Sequence, residues 1–242
     1  MTGWFKKHLL LNIVRLACIA AMAALLVFTR SGGAKRPLYF AVTFVFLFLP
    51  ELVTAVLRAE PPDALSVVYV LSLFCANILG ELIEFYVSVP VWDAALHLIA
   101  AFFLALTGAS FLEIMIGKRP RPLASFLFAL CFALFIGVLW EFFEYFMDCV
   151  FHYDMQKDTL VKSISTILLD PYGGNNAVTQ DITSVVINGE TWPGYIDIGL
   201  HDTMSDLIIC VAGGLFGGVC CAVNAGNGKR FRFVRAFFWK KR

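Results

Sequence analysis

Charge is what this sequence has least of. Only 15% of its 242 residues are Asp, Glu, Lys or Arg, against about a quarter in an ordinary soluble domain. That scarcity excludes a soluble enzyme and a disordered chain. Nineteen basic and eighteen acidic residues leave a formal charge of +1, so no global imbalance points to nucleic acid. No CxxC pair occurs among the seven cysteines, which excludes a zinc knuckle and a thioredoxin-type site. Cys18, Cys75, Cys131, Cys210, Cys220 and Cys221 lie inside apolar stretches and Cys149 beside one, so they read as small packing residues. P-loop, GxSxG, HExxH and dinucleotide fingerprints are all missing, and with them the usual catalytic and phosphate-binding motifs.

Hydrocarbon is what the sequence has in quantity. Sixty per cent of the residues are hydrophobic and the mean hydropathy is +0.78. Six runs are long enough, at about 1.5 Å per residue, to cross roughly 30 Å of bilayer core: His8–Thr29, Pro37–Leu57, Ala64–Val89, Ala94–Gly117, Leu123–Asp148 and Thr203–Val223. The first follows Lys6-Lys7 but is long for a signal peptide and is interrupted by Arg15, so it reads as a retained anchor. The expected fold is an all-α polytopic membrane protein, residues 1–242 forming one membrane domain with a bundle of about six transmembrane helices.

Lys118, Arg119 and Arg121 between spans four and five, and the basic tail after Gly228, place both termini in the cytoplasm by the distribution of lysine and arginine in short loops. Arg30, Lys35 and Arg36 oppose that assignment and are outnumbered. The tail, residues 228–242, interleaves Phe231, Phe233, Phe237, Phe238 and Trp239 with basic residues. Its chemistry fits the inner leaflet, with anionic lipid headgroups as partners and no nucleic acid. The long polar segment, residues 151–200, is expected to be an extracytoplasmic insert. Its apolar positions at Leu160, Ile164 and Ile167-Leu168 are compatible with a short helix over Met155–Leu169. Ile182–Ile187, Asn188-Gly189 and Glu190–Trp192 read as a β-hairpin around a two-residue turn.

Ionisable residues inside spans cost about 2.5–3.5 kcal/mol each on insertion scales, and here they are grouped. Glu81 and Glu84 stand near the end of span three, Asp93 and His97 open span four, Glu141, Glu144 and Asp148 close span five, and His201, Asp202 and Asp206 open span six. Spacings of three, four and seven put each set on one helix stripe. In an alternating six-span topology all ten fall toward the same side of the membrane. Carboxylates at that density need protons, water or a cation among them. Asp93, His97, Glu141, Glu144, His201, Asp202 and Asp206 are therefore candidate ligands of a divalent metal cation, with Glu141 and Glu144 as candidate catalytic bases. The blander reading makes Asp93 and Asp202 helix N-caps and leaves Glu84 and Asp148 solvated at the interface. Glu51 lies apart from the group and is expected to pair with Arg58, beside a kink at Pro50. Gly213-Gly214 and Gly217-Gly218 have the small-xxx-small spacing of close helix packing.

Three segments resemble a known family. Trp92-Asp93-Ala94-Ala95-Leu96-His97, Leu139-Trp140-Glu141-Phe142-Phe143-Glu144-Tyr145 and His201-Asp202-Thr203-Met204-Ser205-Asp206-Leu207 are similar, in order and spacing, to the YjdF-like family of bacterial inner-membrane proteins. A looser likeness to VanZ-like proteins covers the same region. The sequence departs from the family pattern before span four, at Gly80-Glu81-Leu82-Ile83-Glu84-Phe85-Tyr86, and in the long insert. The resemblance implies a polytopic bacterial inner-membrane protein and supplies no activity. Three functions stay open: a metal-dependent hydrolase of lipid or envelope substrates, a proton- or cation-coupled transporter, and a structural or assembly protein.

Overall fold

Leucine, alanine and phenylalanine dominate the long helices of the computed structural model, which describes residues 8–28, 36–57, 59–226 and 231–241. The roles expected of Lys6, Lys7, Arg30, Lys35, Arg58, Lys229, Arg230 and Arg242 lie outside the described residues. Helix α1 spans Leu9–Phe28, α2 Arg36–Phe46 and α3 Leu49–Leu57, followed by the short strand β1, Ala59–Glu60. Helix α4, Asp63–Phe74, runs into a π-helix at Cys75–Leu82, and α5 covers Phe85–Ser88. Helices α6, Trp92–Ile116, and α7, Pro122–Phe151, precede the insert, and α8 covers Leu200–Gly226. Five helices are long and apolar enough to cross a bilayer, and α2 with α3, bent by 44°, makes a sixth candidate. Pro50 sits in the first turn of α3, where its missing N–H costs nothing, so the kink expected there is a full break.

Contacts divide the chain into two compact units, Met1–Gly137 with Ile208–Arg242, and Val138–Leu207. In the first unit one apolar cluster joins Leu11, Cys18, Met22, Phe40, Leu47, Val70, Ile78 and Leu82. A second joins Ala105, Leu106, Ala109, Ala129, Ala133 and Cys221 to the tail residues Val234, Phe237 and Phe238. The glycine pairs of α8 explain how these helices approach. A Cβ on Gly213 would lie 2.5 Å from the Leu98 carbonyl, and one on Gly217 2.8 Å from that of Phe102. Gly214 and Gly218 face Leu130 and Phe126 of α7 instead, so one helix closes against two neighbours.

Two expectations are corrected in this unit, and Glu51 acquires a described partner. Span three is not a continuous helix to Val89. Its π-helical turn ends on an Ile83 N–H to Ile78 carbonyl bond of 3.0 Å, and Glu84 then adopts a left-handed conformation with φ 63°. Glu81 and Glu84 therefore do not share a helical stripe. Glu51 pairs with Arg15 of α1, at 2.7 Å, the tertiary partner that a search within span two could not find. The tail does not simply lie along a leaflet. Arg235 of α9, Arg232–Ala236, binds both carboxylate oxygens of Glu113 at 2.7 Å. The Trp239 N–H donates to Ser110 Oγ at 2.7 Å, and β8, Lys240–Lys241, pairs antiparallel with β1. Phe231 and Phe233 stay exposed, while Phe237 and Phe238 are buried.

The second unit holds the insert. The helix expected over Met155–Leu169 is absent. In its place stand β2, Thr159–Val161, β3, Ser163–Thr166, and a 3-10 turn at Ile167–Leu169. Thr159, Val161, Ile164 and Thr166 are β-branched residues that suit strands, and they find distant partners. Strand β2 pairs with β7, Tyr195–Asp197, and β3 with β4, Val178–Asp181. The expected hairpin is present as β5, Val185–Ile187, against β6, Glu190–Trp192. Asn188 and Gly189 both have positive φ, 50° and 90°, as a two-residue type I′ turn requires.

Candidate functional site

The first turn of α6 is organised by its aromatic residue. Trp92 donates from its indole nitrogen to the Cys75 carbonyl at 3.3 Å and packs edge-on against Phe85, centroid to centroid 4.8 Å. Cys75 begins the π-helix, where the regular carbonyl ladder is displaced, so the indole satisfies a group the helix leaves over. Asp93 follows, and one turn later His97 places Nε2 3.6 Å from Asp93 Oδ1. The His97 side chain is 10% exposed and that of Asp93 27%. On its other edge, His97 Nδ1 lies 3.8 Å from Cys210 Sγ of α8. Asp206 is one helical turn before Cys210 on the same unbroken helix, so both occupy one stripe of it. Glu81 accepts a hydrogen bond from the Tyr39 hydroxyl at 3.0 Å, which gives that residue a neighbour from α2.

Within the second unit the expected residues separate by role. Glu141, Glu144 and Asp206 are buried, at 4%, 7% and 3% exposure. Glu144 Oε1 accepts from the Trp140 indole at 2.9 Å. Asp148 receives the backbone N–H groups of Met155 and Gln156 at 2.7 and 2.8 Å, and Asp202 receives that of Lys157 at 2.8 Å. These carboxylates anchor the start of the insert after the chain reverses at His152, φ 55°. His201 is exposed, and its N–H donates to Asp197 at 2.8 Å. Asp158 gathers the repulsion. Partial burial, then the charges of Asp154, Asp148 and Asp197, push its carboxyl above the ordinary value.

Sequence reasoning missed a second polar group, at the opposite end of the first unit's span four from Asp93. Arg15 is 4% exposed and donates to the Leu47 carbonyl at 3.1 Å, Asn12 Oδ1 at 3.2 Å and Glu51 Oε1 at 2.7 Å. His8 Nδ1 lies 2.5 Å from Asp63 Oδ1 and Nε2 3.4 Å from Glu60 Oε1. His8, Glu51, Glu60 and Asp63 line a cavity of about 170 Å³ with Leu11 and Pro50. The signal was available, because His8, Asn12 and Arg15 stand at i, i+4 and i+7 along one stripe of span one.

The family model described as "Predicted membrane protein (DUF2238)" matches residues 11–226. An uncharacterized protein of Thermotoga maritima is 27% identical over 130 residues, which is 50% of this chain and 65% of that relative. The chain thus spans just under two thirds of its length. No solved structure matches.

Proposed function

The chain belongs to this family of membrane proteins, and we propose that Asp93 and His97 are ligands of a divalent cation. The observation that carries the reading is the Asp93–His97 pair, Nε2 to Oδ1 3.6 Å. A tetrahedral metal about 2.0–2.1 Å from each donor keeps its ligands roughly 3.3 Å apart, so a small closure suffices. The neutral imidazole would use Nε2 on the metal while Nδ1–H faces the Cys210 sulfur, the kind of outer contact that sets a ligand's tautomer. Asp206 remains a candidate ligand by its sequence spacing alone. Glu141 and Glu144 are candidate general bases, and a cation here would activate water for hydrolysis of lipid-linked or envelope substrates. Asp202 and His201 are the outer candidates of the same ligand set.

Metal analysis of the purified protein in detergent, after loading with single divalent cations, tests this. The wild type should retain a stoichiometric cation that His97→Ala and Asp93→Asn both lose, while Glu141→Gln keeps it. A wild type that holds none after loading overturns the reading.

A second reading, proton- or cation-coupled transport, is favoured by the cavity around His8, Glu51, Glu60 and Asp63, which supplies polar groups at the far end of the spans. Carboxylate-dependent flux in liposomes without bound metal would select it. Exposed Phe231, Arg232 and Phe233 are contacts the tail offers to anionic headgroups at a cytoplasmic face of the inner membrane.

A further inference from the structure

The insert holds apolar side chains out where a folded protein usually hides them. Leu168 is 88% exposed and Tyr172 92%, with Ile167 at 49% and Leu169 at 44%. This tip is rigidly built. Thr166 Oγ1 accepts from the Leu168 N–H at 3.2 Å. Asp170 Oδ1 accepts from the Tyr172 N–H at 3.0 Å, and Oδ2 from the Asn176 N–H and side-chain amide at 3.3 Å each. Beneath it the β3–β4 ladder closes with a Ser165–Thr179 hydroxyl bond of 2.7 Å. Between Ser163 and Gln180 the only charged residue is Asp170, and its carboxylate is spent inside the loop. The Tyr172 and Asn176 donors hold that carboxyl below its ordinary value, so it stays an acceptor at neutral pH.

We propose that this tip, residues 167–172, docks into the headgroup region of the bilayer on the side where the insert emerges. Leucine with a tyrosine, uncharged and preorganised, is the chemistry of an interfacial anchor, an aliphatic wedge beside an amphipathic ring. The occupant is lipid because the tip is exposed and apolar in an insert held between two membrane-spanning helices. Both ends of the insert run into spans. Within the same unit Phe142, Tyr145, Phe146 and Phe151 of α7 and Ile198 and Leu200 before and within α8 are exposed as well, at 50–75%. The tip has no complementary charge to select a protein partner.

The test uses the full chain in phosphatidylcholine nanodiscs, with Leu168→Trp, Tyr172→Trp and, as a water-facing reference, Glu190→Trp. Each is read as the emission added to that of the native tryptophans. At 168 and 172 the added signal should be blue-shifted, quenched by brominated acyl chains and insensitive to aqueous iodide, with the reverse at 190. Tyr172→Trp exchanges one exposed aromatic for another, so it keeps the test open if the Leu168 variant folds poorly. Iodide quenching at 168 and 172 without bromolipid quenching overturns the proposal. So does protection from both quenchers, which would assign the tip to a protein surface or a second copy.

Discussion

Arg15→Met is the most informative single change. The guanidinium is 4% exposed, spans α1 to the α2–α3 break, and stacks over Phe48 at 4.7 Å. Methionine keeps the aliphatic volume and removes every donor. Glu51 then loses the partner of Oε1, and its Oε2 already has none among the described residues. Breaking a buried pair on one side costs about 3–5 kcal/mol. The 32% exposure of the Glu51 side chain argues for about 3. The Leu47 carbonyl, which Arg15 caps at the helix break, adds about 1–3 kcal/mol as an orphaned acceptor. Glu51→Leu should cost less, about 2 kcal/mol, because Arg15 keeps Leu47 and Asn12. The double variant removes both charges and leaves the neutral acceptors of Leu47 and Asn12 without Arg15, so it should be more stable than Arg15→Met alone. Reversible unfolding in mixed micelles, run as a double-mutant cycle, should show strong coupling, the double variant costing less than Arg15→Met alone and well below the sum of the two singles. Additive single effects, each below about 1 kcal/mol, would refute the argument and make the pair an exposed one.

Gly217→Val should destabilise the bundle by about 1–3 kcal/mol through overpacking, because its Cβ would press on the Phe102 carbonyl and Ala105. The same substitution at Gly117, which has open space but φ 66°, should act through backbone strain and leave helix contacts intact. The two are told apart by cross-linking between α6 and α8. Arg235→Gln removes the contact of one guanidinium nitrogen with both Glu113 oxygens, a pair whose side chains are 24% and 25% exposed. The expected loss is about 1 kcal/mol or less, read as faster proteolysis of the tail rather than as global unfolding. The insert should respond to pH with opposite signs at two acids. Asp170, held low, stabilises its loop above the ordinary carboxylate range, and that protection is lost as pH falls through its depressed folded value. Amide exchange at Tyr172 and Asn176 should rise there, and Asp170→Asn should abolish the dependence. Asp158, pushed up, weakens the fold once it ionises, so Asp158→Asn should slow exchange in β2 at neutral pH and have no effect in acid.

What could be read in advance follows how local each signal is. The Asp93–His97 pair was legible because i, i+4 spacing on a helix brings two side chains together whatever the surroundings. Cys210 beside His97 was not, because 113 residues separate them. The stretch from Thr159 to Thr166 fits a helix by its apolar spacing and a strand by its β-branching. Pairing with Tyr195–Asp197 and Val178–Asp181 decided the matter. A basic, aromatic tail has the same composition whether it lies on lipid or folds onto protein, and only Glu113 and Ser110 distinguish the two.

The sequence by itself determined that this chain crosses a membrane, where its apolar runs lie, and that the acids gather near the ends of those runs. Each of those rests on the solvent demanded by a run of neighbouring residues. Only the tertiary structure decided that Arg15 answers Glu51, that span three breaks at a π-helix, and that Phe237 and Phe238 of the tail are core. Those outcomes turn on contacts between residues far apart in the chain, and no local pattern encodes which of two chemically equal partners is in reach.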